Sequence, residues 1–156
     1  MTDHHDKTPT SYMQMALEAA RSAAVAGEVP VGAVMVDTQA NCVIAVAGNR
    51  VEAGSDPTAH AEMVVIREAA AKLGDVRLPA CDLYVTLEPC PMCATAISFA
   101  RIRRVYFGAF DLKGGGVENG PRIFDQSTCH HRPEVYGGIC ESDAAGLLKE
   151  FFAARR

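Results

Sequence analysis

The sequence predicts an α/β protein, and three observations carry that prediction. Runs of helix formers with apolar residues at helical spacing alternate along the chain with short β-branched runs. Two of the β-branched runs, residues 31–37 and 42–48, are separated only by four polar or small residues, which reads as an antiparallel hairpin. A strand, helix, strand succession over residues 82–108 has the form of parallel pairing through a crossover.

The elements follow in order. Residues 1–10 are expected to form a disordered tail that includes His4 and His5, and residues 11–156 a single domain, because 156 residues with 49% hydrophobic content suffice for one core. Residues 11–26 are rich in Ala, Met, Leu and Glu, with Tyr12, Met15, Ala19 and Ala23 at helical spacing and Gly27 where a helix would stop. After the hairpin, Asp56-Pro57-Thr58 offers cap and first-turn residues for a helix over 59–73 that Gly74 ends, so His60 and Glu62 fall in its opening turn. Residues 82–87 read as a strand, 91–100 as a helix with Cys90 and Cys93 at its start, and 104–108 as a further strand. From 111 to 138 the chain is Gly-rich and irregular, loosest at Lys113-Gly114-Gly115-Gly116, with a short strand near Val135. Ser142-Asp143 then caps a last helix reaching about residue 154, whose Leu147, Leu148, Phe151 and Phe152 pack or recognise. There is no internal repeat.

Composition excludes several classes of function. No run approaches the ~18 apolar residues of a membrane helix, and the polar N-terminus lacks the apolar segment of a signal peptide, so a soluble cytoplasmic protein with no membrane partner is expected. A net charge of -4 argues against indiscriminate nucleic-acid binding. The balance is uneven, though: residues 1–100 carry 6 Lys/Arg against 12 Asp/Glu, and residues 101–156 carry 9 against 7, so any nucleic-acid contact would be local and C-terminal. Arg101, Arg103 and Arg104 form a basic cluster that fits a solvated turn better than a phosphate site. Six cysteines in a reducing compartment point to metal ligation or burial in preference to disulfides.

Their spacing sharpens that choice. Cys90-x-x-Cys93 at a helix start places two sulfurs on one face, where the helix N-terminus favours thiolates. Alone, such a pair is equally a redox pair, half of a four-cysteine structural zinc site, or two buried thiols. His60-x-Glu62 at the start of a second helix tips the balance toward metal. Two thiolates and an imidazole make three ligands, and catalytic zinc keeps its fourth position for water whereas structural zinc closes it with protein. If residues 82–88 form a strand at ~3.3 Å per residue, Cys81 is too distant to be the fourth ligand; Cys42, Cys129, Cys140, His130 and His131 stay open. Zinc lowers the pKa of bound water from 15.7 to about 7, and a carboxylate beside that water can relay its proton. Glu62 is therefore the general acid/base candidate, the alternative being a glutamate that only stabilises its own helix dipole.

His-x-Glu followed by Pro-Cys-x-x-Cys is the signature of zinc nucleobase deaminases. Together with Glu28-Val29-Pro30-Val31-Gly32-Ala33-Val34, Gly48-Asn49-Arg50, Asp56-Pro57-Thr58-Ala59, Leu83-Tyr84-Val85-Thr86-Leu87-Glu88 and Phe107-Gly108-Ala109-Phe110-Asp111-Leu112-Lys113, it makes the chain resemble the bacterial tRNA-specific adenosine deaminases of the cytidine deaminase superfamily. The resemblance runs from about residue 12 to the end, and the Phe151-Phe152 ending with Arg155-Arg156 resembles the tRNA branch in particular.

The resemblance implies a three-layer α/β/α fold with a mixed sheet of about five strands, one Zn2+ per subunit, and a homodimer with composite active sites. It implies conversion of adenosine to inosine at the wobble position of a tRNA, an arginine tRNA in the first instance. The anticodon loop presents that base at lower cost than a duplex would. Asn49 would contact the nucleoside, with Pro30, Val31 and the Ala61 backbone lining the pocket. Asp111, Lys113, Phe151, Phe152, Arg155 and Arg156 would contact RNA by stacking or through phosphates, their plain alternatives being loop solvation, core packing and a frayed end. Residues 115–138 depart most from the family. Two rival readings remain: a deaminase of a free base or nucleoside such as guanine or cytosine, and a non-catalytic zinc-stabilised RNA-binding module.

Overall fold

The computed structural model of the chain describes residues 8–155. The expected tail at residues 1–7, with His4 and His5, and the RNA-contact candidate Arg156 lie outside the described residues.

Thr8 starts the first helix, α1 (Pro9–Val25): its hydroxyl accepts from the Ser11 amide at 3.3 Å, and Pro9 occupies a first-turn position where a missing N–H costs nothing. Residues 8–10, assigned to the tail from the sequence, are thus a helix cap and first turn, because Thr-Pro is a better helix start than the Ala/Met periodicity alone revealed. The hairpin forms as expected, from β1 (Gly32–Asp37) and β2 (Cys42–Gly48), with an irregularity in register between Met35 and Val36. There follow α2 (Ala61–Leu73), β3 (Cys81–Leu87), α3 (Pro91–Phe99), β4 (Arg104–Ala109), a 3-10 turn at Ile123–Asp125, β5 (Glu134–Gly137) and α4 (Glu141–Ala153).

The five strands form one sheet in the order β2-β1-β3-β4-β5. β1 runs antiparallel to both β2 and β3, whereas β4 runs parallel to both β3 and β5, so the sheet is mixed as the resemblance implied. Alternation along β1 sorts its side chains onto two faces. Ala33 and Met35 join a core with Val64 and Val65 of α2 and Ala94 and Ile97 of α3. Val34 and Val36 join a second core with Met13 and Leu17 of α1 and Ala144 of α4. The result is three layers. The second core carries a file of rings across the strands, Tyr12, Tyr84, Tyr106 and Tyr136, with successive centroids 4.9, 4.5 and 5.0 Å apart. Among the described residues no helix is long and apolar enough to cross a membrane.

Two further helix starts differ from the sequence expectation. α4 begins at Glu141 behind Cys140, which adopts a left-handed conformation (φ 56°), so Ser142 and Asp143 lie in its first turn and do not cap it. α2 begins at Ala61, not residue 59, and Asp56 and Thr58 close a tight turn ahead of it, with the Asp56 carboxylate accepting from the Thr58 amide (2.8 Å) and hydroxyl (2.7 Å). Local turn chemistry consumed the residues that resembled a cap.

α1 lies close on the sheet where it crosses β1. A Cβ placed on Gly32 would stand 1.9 Å from the Ala16 carbonyl oxygen and 2.7 Å from the Ala20 nitrogen. Gly32→Ala is therefore expected to cost at least about 1–3 kcal/mol, the range for an overpacked core, seen as a lower midpoint in urea unfolding with an unchanged slope. A midpoint equal to that of the parent would mean that α1 shifts off the sheet freely.

Candidate active site

Parallel strands β3 and β4 end at the same edge of the sheet, and the segments leaving them build the site, the usual location in sheets of this kind. The chain leaves β3 through Glu88 and Pro89 into Cys90, the N-cap of α3, with Pro91 at the first helical position. His60 is the N-cap of α2. Neither side chain makes a geometric cap hydrogen bond to its helix start; both turn toward each other.

His60 Nδ1 lies 3.6 Å from Cys90 Sγ and 3.5 Å from Cys93 Sγ, and the three atoms all lie within 4.8 Å of one another. A tetrahedral zinc with bonds of about 2.3 Å to sulfur and about 2.0 Å to nitrogen has S···N edges of about 3.5 Å, so the donor atoms already stand at the spacing the ion requires. Among the described residues no fourth His, Cys, Asp or Glu joins the group. The cysteines left open by the sequence lie elsewhere: Cys42 is exposed on β2, Cys129 bonds Ser98, and Cys140 meets Gln14; Cys81, excluded from the sequence as too distant, is buried at the start of β3.

Protonation suits a metal site. A hydrogen bond from the Cys93 thiol, against the cost of burial and with help from His60, pulls Cys90 down to about 4. Cys93 is pushed far above the usual thiol range by holding that bond and by burial. His60 is raised by its bond to Cys90. Without metal, then, Cys90 is a thiolate and Cys93 keeps a proton that a cation would displace.

Glu62, in the first turn of α2, is 3% exposed. Burial, against a bond from its own amide and with repulsion from the Cys90 thiolate, pushes its carboxyl up to about 7. A group poised there can both take and return a proton near neutral pH.

A cavity of about 610 Å³ opens over these groups, lined by His60, Glu62 and Cys90 at its base. That volume lies in the range of small-molecule sites, about 300–1,000 Å³. Of the other residues singled out from the sequence, Asn49, Val31, Asp111, Phe151 and Arg155 also line it. The Asn49 carbonyl accepts from the Ala61 amide at 2.8 Å, capping α2 from outside and leaving its NH2 group as the available donor. The Ala61 amide is thereby occupied, and its side chain, like Pro30, is buried outside the lining. Phe151 is buried against the cavity with the Arg155 guanidinium 3.4 Å above its ring centre. Phe152, 48% exposed, and Lys113, also exposed, stand outside the lining. The arginine cluster is committed elsewhere: Arg103 binds Asp82 through two nitrogens, Arg104 binds Glu134, and Arg101 donates to the Ser98 carbonyl.

Two buried acidic residues at the cavity were not singled out as site residues from the sequence. Glu28, 2% exposed, accepts from the amides of Glu52 (3.0 Å) and Ala53 (2.9 Å), which outweigh burial and hold it below the usual carboxylate range. Glu88, also 2% exposed, is likewise held low against burial by the Asn119 side chain and by backbone amides of the 111–119 loop. In the sequence both appear only within the segments that carry the resemblance, Glu88 between the end of a strand and Pro89 and Glu28 two residues before Pro30.

The model of the cytidine and deoxycytidylate deaminase zinc-binding region matches residues 6–109, more than half of the chain. The chain is 58% identical over 148 residues to the tRNA-specific adenosine deaminase of Agrobacterium fabrum (strain C58), covering 94% of this chain and 95% of that protein. It superposes on a solved tRNA:A34 deaminase, studied for A-to-I editing at the wobble position of transfer RNA, with a TM-score of 0.87, 59% identity, and coverage of 89% of this chain and 99% of that one. A guanine deaminase from Nitrosomonas europaea is more distant, at a TM-score of 0.76 and 27% identity, with 94% and 85% covered.

Zinc added to metal-free protein at neutral pH should bind at about one ion per chain and release protons from Cys93 and from the charged fraction of His60, so affinity should rise with pH. Calorimetry in buffers of different ionisation enthalpy reads that release. Cys93→Ser should weaken binding by at least tenfold; unaltered affinity would remove Cys93 from the ligand set.

Proposed function

The chain belongs to the tRNA-specific adenosine deaminases of the cytidine and deoxycytidylate deaminase family, and from that membership we propose that it converts adenosine to inosine at the wobble position of a tRNA. The observation that carries the chemistry is a His/Cys/Cys group at metal spacing with a buried carboxylate, Glu62, beside it at the base of one cavity. The observation that favours tRNA is the identity with relatives of that name along nearly the whole chain.

In this reading His60, Cys90 and Cys93 hold zinc, which when bound supplies the Lewis acidity that makes water a nucleophile at neutral pH. Glu62 takes a proton from the attacking water and delivers it to the purine ring nitrogen as the new bond forms at C6. The amino group then leaves as ammonia, with Glu62 carrying to it the proton of the hydroxyl added at C6, which becomes the carbonyl of inosine. The Asn49 NH2 group faces the nucleoside, held by the bond between its carbonyl and Ala61. Val31 and Phe151 supply apolar walls, while Asp111 and Arg155 line the same cavity from the loop and the last helix. Phe152 and Lys113, outside the cavity lining, and Arg156 belong to the same proposal as contacts to the anticodon loop.

A homodimer and a cytoplasmic location complete the proposal. Phe99, 71% exposed on α3 beside an apolar recess lined by Thr95 and Ile123, supports an interface there. A solution mass equal to one chain across the micromolar range would remove the dimer.

Incubation with tRNA carrying adenosine at the wobble position should release ammonia and leave inosine there, as read by sequencing the tRNA. Free adenosine or guanine turned over as fast would move the reading to the base or nucleoside deaminases. Glu62→Gln should keep its zinc and lose at least ~10²-fold in turnover, the scale of a lost general acid/base. Parental rates in that variant would remove Glu62 from the mechanism.

A further inference from the structure

Glu88 lines the cavity yet has no part in the proton transfers proposed above. Its surroundings are unusual in one respect: every hydrogen bond it receives comes from a single loop. Oε1 accepts from the Asp111 amide (3.1 Å) and the Asn119 side-chain NH2 (2.7 Å). Oε2 accepts from the consecutive amides of Val117 (3.2 Å), Glu118 (3.0 Å) and Asn119 (3.1 Å). Consecutive amides converging on one oxygen form an anion-binding nest, and here the anion is a side chain of the protein itself.

The loop folds around that carboxylate with no room to spare. A Cβ on Gly115 would stand 2.3 Å from Oε2, and one on Gly116 would stand 2.5 Å from the Pro91 nitrogen. The Gly116 amide donates to the Pro89 carbonyl at 2.8 Å, tying the loop a second time to the segment that carries Cys90. Asp111 and Gly114, which line the cavity, lie within the stretch so held. Glycine at three successive positions would otherwise leave this stretch loosely determined.

We infer that Glu88 is a positioning residue, which holds the 111–119 loop as one wall of the substrate cavity at a set distance from the metal-ligand segment beginning at Cys90. The inference rests on the reading of this cavity as the substrate site. Glutamine is nearly the same shape but cannot do the same work: one of its two terminal atoms is an NH2 group, which would face N–H donors where the carboxylate accepts. Aspartate keeps the charge but ends one methylene short of the nest.

The test compares zinc-loaded full-length protein with its Glu88→Gln variant in three measurements. Zinc content should be unchanged. Amide exchange should quicken by about 10- to 10²-fold at Val117, Glu118 and Asn119, the scale of lost hydrogen bonds to a charged group, and stay at parental rates in β1 and α1. On tRNA with a wobble adenosine, KM should rise at least tenfold with a smaller change in kcat, as expected when a substrate-contacting wall moves. Should Glu88→Gln not fold, Asn119→Ala, which removes one donor and keeps the carboxylate, should produce a weaker form of the same pattern. Unchanged exchange in residues 117–119, or exchange quickened throughout the chain together with loss of zinc, would overturn the inference. If the parent protein left tRNA unmodified, the functional reading would fail, while the exchange comparison would still decide whether Glu88 holds the loop.

Discussion

The parallel pairing of β3 with β4 is the constraint on which the rest of this molecule depends. Strands that run the same way must release the chain at the same edge, and a crossover helix must bridge them. In this chain the crossover is α3, and its N-cap and first turn carry Cys90 and Cys93 of the His/Cys/Cys group. The exit from β4 leads directly to Asp111, across the cavity from those cysteines. α2, packed beside α3 on the same face of the sheet, brings His60 to the same point by its own N-terminus. Two helix N-termini thus converge on one spot, where their partial positive charge favours a thiolate, a neighbouring carboxylate and the attacking oxygen of the proposed reaction.

Three buried glutamates around one cavity show how environment assigns different work to one side chain. Glu28 and Glu88 are as buried as Glu62, but backbone amides surround their oxygens and keep them charged. Glu62 has no such set of donors and stands beside a thiolate, so burial dominates and its proton is held to about 7. The first two are suited to holding loops, because a fixed charge with satisfied bonds has no reason to move. The third is suited to moving protons, because neither of its states is strongly preferred.

Asn49 links the same logic to α2. A helix start needs acceptors for its free amides, and the residues next to this one, Asp56 and Thr58, are spent on a turn. The acceptor comes instead from the end of β2, twelve residues earlier in the chain. That long-range cap does two things: it fixes the start of α2, and with it His60, and it orients the Asn49 NH2 group relative to the cavity. One hydrogen bond thus sets the place of both His60 and the proposed substrate donor Asn49.

What the sequence by itself determined is whatever depends on neighbours along the chain. Helical periodicity, strand alternation and the Gly74 stop located nearly every element, and the Cys90-x-x-Cys93 spacing put two sulfurs on one face wherever that helix is placed, while His60 and Glu62 were singled out by the motif. The resemblance carried by those segments implied the five-stranded mixed sheet that the structure shows. Tertiary structure decided what depends on residues far apart in the chain: that Asn49 and not Asp56 caps α2, that Arg103 is spent on Asp82, that Phe151 faces the cavity while Phe152 faces outward, and that Glu28 and Glu88 hold loops. A buried glutamate and an exposed one are the same letter in a sequence; only the amides that packing brings to its oxygens distinguish an anchor from an acid.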